Sequence, residues 1–230
     1  MHSLRPLLAA ALCVAASPAA ASTLRVDPIK VEISADRKIA SIRVENEENV
    51  PVAVRSYCLA WSQPGGEDRY EESDALIVSP PVATIAPGAT QVIRVGLRPG
   101  TPARGAYRLI VEEIPPAETG GGIHVALRLS LPLYVSLASH EPSRLQWRSF
   151  QRADHSLVVE AANPTDGYVR AEAADIAAAT GLKSSSFPGF AVILPNSKRQ
   201  WVLGTKPDIA DRARFDALLR AASPDESPRS

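Results

Sequence analysis

Histidines, cysteines and one acidic cluster are the side chains in this chain that could do chemistry. Past the N-terminal leader the histidines are His124, His140 and His155. A metal site or a general base needs such groups at ligand spacing, or beside a nucleophile. His124 and His155 stand apart in strand-like runs and read as surface or internally satisfied residues. Cys58 lies in the apolar run SYCLAW and reads as a small buried residue, because a reactive thiol needs an electropositive surrounding. The cluster EDRYEESD at 67–74 lacks the alternating Asp/Asn spacing and the glycine of a calcium loop, so it reads as a solvated face. The triplet GGG at 120–122 lacks the Lys-Ser/Thr and the following helix of a phosphate loop. No G-x-S-x-G, H-E-x-x-H or C-x-x-C occurs. Nucleophile, base and metal ligands do not assemble, and the chain is read as a non-enzyme without metal or cofactor.

The strongest pattern is apolar. From Ile123 every second residue is aliphatic: Ile123, Val125, Leu127, Leu129, Leu131, Leu133 and Val135. Period-two alternation predicts a half-buried strand. Most strands run about 5–6 residues, whereas this run would extend about 44 Å at ~3.4 Å per residue. Pro132 within it places the strand at a sheet edge. A long, apolar, edge-type strand needs something to cover it.

The elements around it are strands as well. LRVDPIKVEI alternates through Ile33 with Pro28 interrupting it. IASIRVEN, VPVAVRSYCLAW, ALIVS, TQVIRVGL and YRLIVEEI follow, with PGGEDRYEESDA as a charged loop. This spacing predicts an antiparallel sandwich of immunoglobulin type over residues 22–138. The polar segment ASHEPSR leads to shorter strands: LQWRSF, SLVVEAAN, YVRAEAADI, FAVILPN and RQWVLGT. They predict a smaller β-domain over 139–222. DIADRARFDALLRAA reads as a final helix or as a last strand, and 223–230 as a disordered tail. The fold class is therefore all-β, with two immunoglobulin-like domains.

Residues 1–21, with one arginine before an apolar run and an Ala-Ala-Ala cleavage site, read as a secretory signal peptide. Cleavage would leave Cys58 as the one thiol, so no internal disulfide is expected. With 25 basic and 25 acidic residues the net charge is zero, and no strong field invites nucleic acid or anionic membrane.

The string VSPPVATIAPGATQVIRV at 78–95, then YRLIVEEIPP at 107–116, then the alternating strand, resembles the periplasmic pilus chaperones of the chaperone–usher pathway. RVEN…VPVAVRSYCLAWSQ is similar to the second and third strands of that family, and NPT at 163–165 with VILPNS fits more weakly. The details look most like the archaic or spore-coat-protein-U-like branch. The resemblance implies a boomerang of two domains, periplasmic location, no ATP, and two partners: pilus or coat-type subunits and an outer-membrane usher. A subunit is an incomplete sandwich, and its missing strand leaves a groove and unpaired backbone groups. The chaperone lends an edge strand, whose backbone bonds give affinity and whose alternate side chains fill the groove.

Carried over by position, Ile123, Val125, Leu127 and Leu129 are the lent residues. The residues alone allow the blander reading, in which that face only closes the chaperone's own core. An open edge of this type can also pair with a second copy of itself. The family further anchors the subunit's terminal carboxylate with two basic residues between the domains. Lys30 matches the first position. The second is a lysine late in the donor strand, and Pro132 stands there instead, which leaves Arg128 and Arg108 as the remaining candidates. The alternative reading is a secreted two-domain structural or adhesive protein. A surface subunit would carry a donor extension before its first strand, yet only about two residues separate the cleavage site from the strand near Leu24.

Overall fold

A computed structural model describes residues 24–101, 104–115, 125–187 and 189–204. The signal peptide, Ile123, His124, the final helix and the tail expected from the sequence lie outside these residues. Ten strands come first: β1 (Leu24–Asp27), β2 (Val31–Ile33), β3 (Ile39–Asn46), β4 (Val52–Ser62), β5 (Arg69–Glu72), β6 (Leu76–Ser79), β7 (Val82–Ile85), β8 (Thr90–Leu97), β9 (Gly105–Glu113) and β10 (Arg128–Val135). After them come β11 (Ser139–His140), β12 (Gln146–Gln151), β13 (Leu157–Asn163), β14 (Tyr168–Glu172), α1 (Ala173–Thr180), β15 (Phe190–Ile193) and β16 (Ser197–Gly204).

One sheet of the first sandwich runs β1-β3-β8-β6, and the other β2-β10-β9-β4-β5, with β7 also on β4. Pro28 splits the first alternating run into two strands. Before it β1 pairs with β3, and after it β2 runs parallel to β10 in the facing sheet. Ile42, Val44, Ile93 and Val95 meet Leu109, Val111, Leu133 and Val135 between the sheets, all fully buried. Each contributes about 1.5–3 kcal/mol by leaving water. The charged loop holds an unexpected strand. β5 pairs with the end of β4, and its four residues are all exposed, so it has no apolar alternation to reveal it.

The second sandwich has sheets β11-β14-β15 and β12-β13-β16. Trp147 stacks on Trp201 at 5.9 Å, and Phe187 meets the same indole edge-on. YVRAEAADI is not one strand. It turns at Glu172, and α1 follows. Glu172 N–H donates to Asp175 Oδ2 at 2.9 Å in a capping box, and the alanines after it favour helix. Ile176 is buried in the core from the helix instead.

Several contacts among the described residues join the sandwiches, Arg104 with Asp166 among them. Trp61, Ala106, Tyr134, Tyr168 and Leu194 form a shared buried cluster. Gln63 donates to Val192 O at 2.7 Å and accepts from Leu194 N at 2.8 Å, so one buried amide acts as a backbone rung between domains. Asp68 holds that amide at 2.8 Å and pairs with Arg199 at 2.7 Å. Where the connecting chain passes, Gly167 leaves no room for a side chain: a Cβ there would sit 2.2 Å from Ala138 O.

Candidate functional site: an open edge strand beside an interdomain cleft

Strand β10 pairs with β9 along its whole length, Arg128 to Val135, but with β2 only from Leu133 to Val135. Its other edge from Arg128 to Pro132 has no partner strand among the described residues. Leu127 accepts from Glu113 N at 2.8 Å, so odd-numbered residues point their backbone groups at β9. Alternation then turns Arg128, Ser130 and Pro132 toward the open edge. Pro132 therefore sits where its missing N–H costs the β9 ladder nothing.

Burial fades along the strand. Leu133 and Val135 are fully buried, Leu131 is 7% exposed, Leu129 and Leu127 are half-buried, and Val125 is 68% exposed. Leu127 and Leu129 still touch the first core. A single apolar face thus begins as core and ends in solvent.

The other face of the same strand carries charge. Arg128, Glu112 and Arg55 stand in line across β10, β9 and β4. Glu112 accepts from Arg55 Nε at 2.9 Å and Tyr57 OH at 3.0 Å, and Arg128 Nε lies 3.4 Å away. The Arg55 hydrogen bond leads in holding the Glu112 carboxyl below the usual range, although burial opposes it. Arg128 also donates to Tyr57 OH at 3.2 Å.

The cleft between the domains lies toward the other end of β10. Lys30 Nζ is 2.8 Å from Glu32 Oε1 and 3.5 Å from Tyr168 OH. The Glu32 bond raises the lysine's pKa against the opposing effect of burial. Tyr168 stacks on Tyr134 at 3.7 Å, and Trp61 lies 6.3 Å beyond. Arg108 closes this row, with its guanidinium 4.0 Å over the Trp61 ring. It stands directly opposite Pro132, and its Nε is buried without a hydrogen-bond partner. Lys30 and Arg108 thus occupy the two ends of one aromatic row, whereas Arg128 belongs to the charged ladder away from it.

Other groups are engaged locally. Burial pushes the Cys58 thiol up to about 12, and His140 Nε2 lies 3.1 Å from Asp166. Sequence reasoning did not single out Tyr134, Tyr168, Trp61 or Gln63. One available signal was the placing of Tyr134 on the polar parity of an edge strand, where a large ring needs a second surface to cover it.

An immunoglobulin-like sandwich pair with an edge strand that is open on one side among the described residues and runs into an interdomain cleft defines the class. The sequence matches the family model described as pili and flagellar-assembly chaperone, PapD N-terminal domain, over residues 23–137. The chain belongs to that family. A search of curated proteins finds no match. Among solved structures, it is similar to a chain of the CsuC–CsuE chaperone–tip adhesion subunit pre-assembly complex, from the archaic chaperone–usher Csu pili of Acinetobacter baumannii. The identity is 24%, the match covers 81% of this chain and 96% of that one, and the TM-score is 0.63. The E. coli chaperone DraB matches at 18% identity over 82% and 86% of the two chains, with a TM-score of 0.56. The Salmonella enterica SafA pilin–SafB chaperone complex gives 14%, 81%, 86% and 0.56 for the same measures.

Proposed function

We propose that this chain is a periplasmic chaperone that lends the outer edge of β10 to an incomplete pilus or coat-type subunit and delivers the subunit to an outer-membrane usher. The observation that carries the reading is the edge from Arg128 to Pro132, without a partner strand among the described residues, beneath an apolar face that runs out into solvent at Val125. Ile123, Val125, Leu127 and Leu129 enter the subunit groove, while Arg128 and Ser130 supply backbone bonds to the subunit's strands. The order of exposure supports a division of labour. Leu131, Leu133 and Val135 hold the strand in its own core, and the residues before them are free to be shared. Lys30 and Arg108 receive the subunit's terminal carboxylate in the cleft, where partial exclusion of water strengthens charge-assisted bonds. The work needs no nucleotide, because subunit folding on the lent strand supplies the driving force.

The test is co-expression with a candidate subunit. Leu127→Glu, and separately Val125→Glu, abolish co-purification while the chaperone keeps its fold. Normal capture by both variants would overturn the reading.

A further inference from the structure

The start of β10 is gripped from both faces by consecutive residues of β9. Glu113, 8% exposed on the core face, donates its backbone N–H to Leu127 O at 2.8 Å and accepts Leu127 N–H on its carboxylate at 3.2 Å. Glu112, on the outer face, gathers Arg128, Arg55 and Tyr57. Because side chains alternate in a strand, neighbouring glutamates reach opposite faces of the adjacent strand. On the N-terminal side of this grip Val125 is solvent-exposed and lies outside β10.

We infer that Glu112 and Glu113 form a two-faced carboxylate clamp that fixes where β10 leaves its own sheet, and so holds Leu127 and Leu129 extended and in register for a client. They are positioning residues for the donor strand, and the inference rests on the donor-strand reading above. An edge strand held on one side only frays, and re-ordering each backbone residue costs about 1–2 kcal/mol when a client binds. A strand already extended avoids that cost. Glu113 also supplies the Leu127 amide with an acceptor. The charged ladder ties the solvent face of the strand across β9 to β4, so the strand cannot peel away without breaking contacts on both sides. Acid loosens the outer half of the clamp. Glu112 titrates below the usual carboxylate range, so its grip is complete above that range and is lost as pH falls through the depressed value.

The test uses the full mature chain and residue-resolved amide exchange. In Glu112→Gln and Glu113→Ala, exchange at Leu127 and Leu129 speeds by about tenfold or more, which converts to about 1.4 kcal/mol of lost local protection. Exchange at Leu109, Leu133 and Val159 does not change. In the wild-type chain, protection at Leu129, taken relative to the intrinsic rate, falls in acid, and Glu112→Gln removes that pH dependence. Unchanged exchange at Leu127 and Leu129 would overturn the clamp whatever the client does. Capture of the subunit that co-purifies with the wild-type chain separates the two levels. Faster exchange with undiminished capture, while Leu127→Glu abolishes capture, refutes the clamp's role and leaves the donor strand standing. Normal capture by Leu127→Glu and Val125→Glu removes the donor strand itself.

Discussion

Tyr134 on β10 and Tyr168 on β14 stack face to face, with centroids 3.7 Å apart and planes 7° from parallel. The same strand that presents an open edge thus also fastens the second domain to the first. Tyr168 is 3% exposed, and its hydroxyl is 3.5 Å from Lys30 Nζ. Replacing it with Ala removes the stack and opens a cavity, for a loss of about 3 kcal/mol. Chemical denaturation checks the size, and Tyr168→Phe, which keeps the stack, recovers most of the loss.

Lys30 tests the cleft half of the site. It is half exposed and shares its charge with Glu32, so removing it costs the fold little. A charge-assisted bond to a client carboxylate is worth about 1.5–3 kcal/mol. Lys30→Met is therefore expected to weaken subunit affinity by about tenfold or more, with an unaltered melting temperature. Titration with subunit carrying or lacking its terminal carboxylate checks the assignment, because the variant should no longer distinguish the two.

Glu160 governs acid stability in the second domain. Its side chain is 4% exposed between Arg148 and Lys198. Burial pushes its carboxyl up, but bonds from Arg148, Gln200 and Lys198 outweigh this and bring it down to about 2. A depressed carboxylate stabilises the fold above its unfolded pKa, near ~4.3, and stops doing so as pH falls through its folded value. The contribution is on the order of 3 kcal/mol at neutral pH and disappears between about pH 4 and pH 2. Unfolding curves for wild type and Glu160→Gln should converge across that window.

Cys58 is 6% exposed and titrates near 12, so little thiolate exists at neutral pH. Alkylation at pH 8 is expected to be negligible in the folded protein and rapid in denaturant. Thiol labelling followed by mass spectrometry checks it, and fast labelling of the native chain would remove the residue from the core.

Much of the first sandwich was legible because one side of each strand is buried. IASIRVEN and TQVIRVGL became β3 and β8 with the bounds that their alternation suggests. β5 was not legible, since an exposed edge strand carries no alternation, and α1 was hidden because Ala-rich residues satisfy either period. The apolar face of β10 and the residues before it stood out by its length. Its division into buried and partly exposed parts did not, because Leu127 and Leu133 are the same residue type and differ only in which strands flank them. The cleft was least visible. Arg108 and Arg128 are alike in sequence, and only the register that sets one opposite Pro132 and the other opposite Glu112 separates them.

The most direct test of the proposed strand donation is backbone amide exchange at Arg128 and Ser130 with and without bound subunit. Both N–H groups face the open side of β10, so they exchange fast in the free chaperone. Strand addition predicts strong slowing at these two positions in the complex, with Leu131 and Leu133 already protected. Exchange at Arg128 and Ser130 that stays fast in a stable complex would contradict donation of this strand.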